Sequence, residues 1–312
     1  MARDRRRGTR APYDHGVRVV SLLPSATEIV FALGRGDDLV GVTFECDYPP
    51  EARDRRVVST SALPSGLSPA EIDGVVSARV AAGEDLYRLD RDALVDLDAD
   101  VVLTQDLCAV CAVDLERVDD ALDYLGCAAE VVTLDPRSIH EVLASIVTVG
   151  DALDVTARAI AVADALGARL DDVARAISGT RRPRVLTLEW TDPAFTAGHW
   201  VPDLVAAAGG VPVLADPGAD SRRVSWPDVA GTAADVVLVA PCGYHLDGAE
   251  LLARQLVDAD RLPETAAVWA VDADSHFVRP GPRVVDGVET VTQILHPARV
   301  GVPGADRARR VR

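Results

Sequence analysis

Residues 17–49 read VRVVSLLPSATEIVFALGRGDDLVGVTFECDYP, and this stretch decides the fold. VRVVSLL (17–23) is a short unbroken apolar run, the pattern of a strand covered on both faces. PSATEIVFALG follows at once. Ser25 with Glu28 three residues on has the capping-box spacing, so Glu28 is expected to cap a helix that stops at Gly34. DLVGVTF (38–44) is a second strand and ECDYPP its loop. Strand, helix and strand in so few residues imply a crossover between parallel strands.

The same alternation continues outward. SPAEIDGVVSARVAAG (68–83) and DRDALVDL (90–97) have helical patterning. ADVVLTQ (99–105) is a buried strand followed by the loop DLCAVCAV. Residues 114–126 are expected to be helical, and AEVVTLD (129–135) is a strand. Residues 138–178 are then almost wholly helical, with Ser138 and Glu141 as a second capping-box pair and GDALD (150–154) as the break. The second piece, 154–178, would be about 36 Å long at 1.5 Å per residue. Strands resume at RVLTLEW (184–190), VPVL (211–214), ADVVLVA (234–240) and AVWAVDAD (267–274). A helix VPDLVAAAGG (201–210) and a last helix VVDGVETVTQIL (284–295) complete the pattern. The expected class is α/β. Two lobes, 17–137 and 181–299, each carry a mainly parallel sheet flanked by helices. Linking helices at 138–180 join them, and basic tails at 1–16 and 300–312 are expected to be solvated.

Composition narrows the function. With 32 basic against 49 acidic residues the chain carries −17, so nucleic acid is excluded as a partner by repulsion from its phosphates. Every basic residue other than histidine is arginine. No apolar run reaches membrane-spanning length, and no export signal or lipid-anchor cysteine is seen. A cytoplasmic location is therefore expected, or a periplasmic or extracellular one if the start codon is misassigned. Five cysteines, an odd number, suit a reducing compartment better than a disulfide framework.

Ligands of open α/β sheets bind beyond the carboxyl ends of the strands. The loops there deliver Glu45, Cys46, Asp47 and Tyr48; then Asp106, Cys108 and Cys111; then Trp190, Asp192, Phe195, His199 and Trp200. The last two deliver Cys242, Tyr244 and His245, and His276, Phe277, Arg279 and Arg283. Four of five cysteines and three of six histidines fall there, which points to one cleft rather than to scattered residues. Cys108 and Cys111 are spaced C-x-x-C, which suits a redox pair, half of a zinc site or a pocket wall. With Cys242 and His199 they are the expected metal set, and zinc the expected metal. There is no G-x-S-x-G elbow, phosphate loop or H-E-x-x-H helix.

VRVVSLLPSATEIVFALG with LVGVTFECDYP, ALVDLDADVVLTQ, GHWVPDLVAAAGG, VSWPDVAGTAADVVLVAPCGY and VWAVDADSHFVRPGPRVVDGVETVTQILHP together resemble the helical-backbone (class III) substrate-binding proteins of cobalamin, haem and iron–siderophore importers. The resemblance covers residues 17–298 in order. TQDLCAVCAV, APCGY and RPGPR resemble a cobalamin-binding branch without a signal peptide. The resemblance implies a monomer without enzymatic activity. It implies a cobalamin-like corrinoid or other bulky metal chelate held between the lobes by Glu45, Tyr48, Trp190, Trp200, Tyr244, Phe277 and Arg279. Arg279 and Arg283 are expected to pair with anionic groups of that ligand, and His199 to reach it, as an axial nitrogen to its metal. An ABC permease is the implied partner if the chain is exported. The alternative is a cytoplasmic enzyme or metal-handling protein that uses the thiols of Cys108, Cys111 and Cys242.

Overall fold

The computed structural model describes residues 16–105 and 129–312. The first sheet contains β1 (Val19–Ser21), β2 (Leu39–Thr43), β3 (Arg56–Ser61), β4 (Tyr87–Leu89), β5 (Val101–Gln105) and β6 (Glu130–Leu134) in the order β4-β3-β2-β1-β5-β6. All neighbours are parallel except β4, which runs antiparallel to β3. The second sheet contains β7 (Arg184–Thr191), β8 (Ala194–Thr196), β9 (Val211–Pro212), β10 (Arg222–Arg223), β11 (Val236–Val239), β12 (Ala267–Val271) and β13 (Ala308–Arg310). Its order is β10-β8-β7-β11-β12-β13, with β9 alongside β7.

Central strands are buried on both faces, and their alternate residues divide between two cores. Val19, Val101 and Leu103 join one apolar cluster, while Val20 and Val102 join another. In the second sheet Val236 and Leu238 face one cluster and Val237 and Val239 the other. This is the period of two expected of a covered strand.

The helices that matter for the site are α1 (Pro24–Ala32), α2 (Pro69–Ala81), α3 (Arg91–Leu97), α4 (Ile139–Ala152), α5 (Thr156–Ala176), α6 (Val201–Ala207), α7 (Trp226–Ala230), α8 (Leu246–Asp258), α9 (Ala273–His276) and α10 (Val284–Leu295). The linking segment breaks as the sequence implies, between Ala152 and Thr156. Ser138 Oγ accepts from Glu141 N at 3.2 Å, but the Glu141 carboxylate accepts from Arg137 N at 2.6 Å, one residue upstream of a full capping box. Gly150 lets α4 and α5 close: a Cβ there would lie 2.2 Å from Ala159 Cβ. Arg169 on α5 holds Asp286 and Glu289 of α10 at 2.5 and 2.7 Å. The largest apolar cluster runs from Leu23 and Ile29 through Ile146 and Leu166 to Leu204 and Val288, so the two lobes share one core through the linking helices.

Two expectations change. Residues 308–310 are not a solvated tail but the edge strand β13, antiparallel to β12. Arg309 meets Asp247 and Glu250, each at 2.7 Å, so a basic end finds the acidic surface of α8. Glu28 does not cap α1. Leu23 is the N-cap and makes no side-chain bond, while Ser25 and Glu28 are buried.

Gly150→Ala should lower stability by about 1–3 kcal/mol, because the added methyl has no room without separating α4 from α5. Urea denaturation of the two proteins measures this, and an unchanged midpoint would show that the helices can part without cost.

Candidate functional site

The loops after β2, β7, β11 and β12 converge between the lobes. The loop after β2 carries Glu45, Cys46, Asp47 and Tyr48. The loop after β12 is tied down by Asp272, whose side chain caps α9 by accepting from Ser275 N at 3.2 Å. It then carries Arg279 and Arg283 toward the first lobe.

Arg279 is buried and divides its donors among protein acceptors. Nη1 meets Asp47 Oδ1 and Nη2 meets Asp274 Oδ2, both at 2.5 Å, with Glu45 O at 3.3 Å and Glu28 Oε1 at 3.5 Å. Arg283 clamps Glu28 in a fork, Nε to Oε2 at 2.9 Å and Nη2 to Oε1 at 2.5 Å. Its guanidinium also lies 3.9 Å from the centre of the exposed Tyr48 ring. The donors expected to meet a ligand's anionic groups are thus turned to carboxylates, Glu28 and Asp47 of the opposite lobe and Asp274 of their own. Burial pushes the Glu28 carboxyl above its ordinary value, opposed by Arg283 and Arg279. Burial likewise raises Asp47, but Arg279 outweighs it and holds that carboxyl below the usual range. Asp274 stays raised by its burial. Burial lifts Glu45 to about 6, with the charge of Asp274 adding to it.

His245, the N-cap of α8, stands over this network. Its Nδ1 lies 3.2 Å from Asp272 Oδ1, and its Nε2 lies 3.5 Å from Asp47 Oδ2 and 3.6 Å from Asp274 Oδ2. Aromatic surface rims the same space. Trp190 meets Tyr244 edge-on at 6.0 Å, and its Nε1 donates to Pro69 O at the start of α2 at 3.2 Å. Tyr48, Trp190 and Tyr244 are each partly or wholly exposed. Two further seams close the cleft: Arg223 with Asp73 at 2.7 Å, and Arg137 with Asp220 at 2.9 Å.

Other expected residues lie elsewhere. Trp200 and Phe277 are not lining but core. Phe277 is 0% exposed, and the buried Trp200 donates Nε1 to Phe277 O at 2.7 Å. A large ring with one donor is well placed in a core when a carbonyl meets it. His199 is tied to the segment between β9 and β10, its N donating to Ala219 O at 2.7 Å and its Nε2 lying 3.5 Å from Asp220 Oδ1. Burial lowers its pKa, and Arg137 adds to this. Cys242 is exposed and free. Cys46 does not face the cleft: it is buried against Thr27 Oγ1 at 3.0 Å, and burial pushes its thiol up to about 12. Asp106, Cys108, Cys111 and Cys127 lie outside the described residues. Among the described residues, the groups placed to hold a metal are Asp47, His245 and Asp274, not Cys242 and His199. Asp47 and His245 were expected in the cleft loops but given no binding role, Glu28 was expected only to cap a helix, and Asp274 was not expected at the site. The signal available was Asp47 beside Tyr48 and His245 beside Tyr244, each at a strand's carboxyl end.

Two outcomes are expected. Glu28→Gln and Arg283→Met should each cost about 3–5 kcal/mol, because either leaves a buried charge unpaired, and the double variant should cost less than their sum. Denaturation of the four proteins tests this, and strict additivity would mean that the pair does not act as one. For Glu45 the folded pKa of about 6 exceeds the value of 4.5 expected of a free carboxyl. The folded state therefore binds the proton more tightly, and its contribution is full below pH about 4.5 and lost as pH rises through about 6. Glu45→Gln should remove that decline, worth about 1–2 kcal/mol, in melting curves taken across this range. An unchanged pH slope would rule it out.

Comparison with known proteins agrees with this architecture. A family model described as periplasmic binding protein matches residues 19–273. The vitamin B12-binding protein of Vibrio cholerae serotype O1 is 25% identical over 283 residues, covering 89% of this chain and 88% of the relative. YvrC, an ABC transporter substrate-binding lipoprotein of Bacillus subtilis (strain 168), is 26% identical over 293 residues, covering 90% and 80%. The apo periplasmic heme-binding protein RhuT from Roseiflexus sp. RS-1 superposes with a TM-score of 0.67 at 24% identity, covering 91% of this chain and 100% of that one. Two α/β lobes on a helical spine and a family match over most of its length make the chain a member of the periplasmic binding protein family, a binding protein and not an enzyme.

Proposed function

We propose that the chain binds a cobalamin-like corrinoid, or a closely related tetrapyrrole chelate, in the cleft between its lobes. The observation that carries this reading is the aromatic rim. Aromatics are only 4% of the sequence, yet Trp190 and Tyr244 stand in contact in the second lobe and Tyr48 follows a strand of the first, all three partly or wholly exposed at strand carboxyl ends. Flat apolar faces with a few polar tips suit a large planar macrocycle. The relatives named for vitamin B12 and heme support the ligand class. The relative named as a substrate-binding lipoprotein supports an ABC permease as the partner that would receive the ligand. Such delivery requires the chain on the outer side of the membrane, which protease protection of intact cells would establish.

Titrating purified protein with cyanocobalamin and with haemin, by Trp fluorescence and absorbance, tests the reading. One equivalent of corrinoid should quench Trp190 and dissociate chemically unchanged. Trp190→Ala and Tyr48→Ala should each weaken binding by ten-fold or more, about 1.4 kcal/mol. Saturable haemin binding without corrinoid binding would reassign the ligand. Binding of neither would refute the reading, and a ligand altered as thiols are consumed would return the enzymatic alternative.

A further inference from the structure

We propose that Asp47, His245 and Asp274 form a divalent-cation site that bridges the two lobes and prefers a zinc- or nickel-like ion to magnesium or calcium. The site is separate from the chelate-binding reading and takes the bare ion. Asp47 follows β2 of the first lobe, while His245 and Asp274 belong to the second. One ligand atom from each, two carboxylate oxygens and an imidazole nitrogen, lie within 4.8 Å of one another. The separations from His245 Nε2 are 3.5 and 3.6 Å. The edge of a tetrahedron with bonds of about 2.0–2.1 Å is roughly 3.4 Å, which the two His245 separations match, and rotation of the two carboxyl groups brings their oxygens onto the same ion.

The imidazole is aimed. Asp272 Oδ1 lies 3.2 Å from Nδ1, so it accepts the Nδ1 proton when an ion takes Nε2, the nitrogen that faces the two carboxylates. Asp272 is itself anchored as the cap of α9. The carboxylates are held open as well as supplied. Arg279 takes Asp47 by Oδ1, while Oδ2 is the oxygen turned to His245. Arg53 also reaches Oδ2, at 3.7 Å, from a side chain 69% exposed that can swing away. Asp274 shares Oδ2 between Arg279 and His245. Charge favours a cation here. Glu28, Glu45, Asp47, Asp272 and Asp274 are five carboxyls around two buried guanidiniums, Arg279 and Arg283. The His245 ring is 57% exposed, so an ion enters from solvent and completes its coordination with water. An imidazole ligand favours zinc, nickel or copper over magnesium and calcium, which take oxygen alone.

The test uses the full chain, stripped with a chelator and titrated calorimetrically with zinc chloride, nickel chloride and magnesium chloride, with no corrinoid or haem present. One equivalent of zinc or nickel should bind in the micromolar range or tighter and raise the melting temperature, with magnesium silent. His245→Ala should weaken binding at least ten-fold while melting like the parent in chelator, and Asp47→Asn should weaken it as far but also melt earlier, because Arg279 loses a carboxylate. Asp272→Asn, a positioning change, should weaken it less. Cys242→Ser and the Cys108→Ser/Cys111→Ser pair should bind as the parent does. Absence of saturable binding, retention in His245→Ala, or loss in the cysteine variants would overturn the site. None of these results bears on chelate binding, which is measured without added metal.

Discussion

The arrangement depends on one buried carboxylate. Glu28 lies inside α1 with its side chain 2% exposed, and it is made tolerable there by the fork of Arg283 from the other lobe. Removing a charge from water costs several kcal/mol, recovered only with near-ideal geometry and further hydrogen bonds. That requirement fixes where the loop after β12 must run. With Arg283 on Glu28, Arg279 is delivered to Asp47 and Asp274, and the Arg283 guanidinium has Tyr48 against it. The cleft floor follows from satisfying one acid.

The consequence for binding is that the floor is electrostatically occupied while the rim is not. The guanidiniums face protein oxygens, and the exposed aromatics face solvent. In the proposed function, recognition of a large chelate rests on the exposed surfaces of Tyr48, Trp190 and Tyr244. The ion network sets the spacing between the lobes that carry them. Both arginines reach across from one short segment, so that spacing is coupled to the packing of α10 on α5 through Arg169.

Much of the fold was legible because covered parallel strands read as unbroken Val and Leu runs, and the linking helices as a long stretch without strand patterning. β3 was not, because RVVSTS begins among charges and half its residues face outward. β10 and β13 are edge strands with arginines, which the sequence alone makes look like solvated loops or tails. In the site, the loops were legible and the roles less so. Strand ends located Asp47, His245, Arg279 and Arg283, since topology is a local pattern. Which acid of the first lobe each arginine meets is a pairing across 232 to 255 residues, and no local pattern encodes it. Glu28 misled for the same reason: a cap spacing and a buried ion pair look alike until the partner is placed. Trp200 and Phe277 misled because an aromatic after a strand reads the same whether it faces cleft or core.

β13 has a meaning beyond completing a sheet. A central strand such as β12 left at an edge would present the backbone groups of Trp269, Ala270 and Val271, the positions paired with Arg310, Arg309 and Ala308, to any extended chain nearby. The last residues act as a plug against that pairing. Arg309, held by Asp247 and Glu250 of α8, and Arg310 make the new outer edge a charged one, which resists further strand addition. A chain shortened by these residues would keep its cleft, lose the packing of Ala308 and Val311, and acquire an open strand edge prone to self-association.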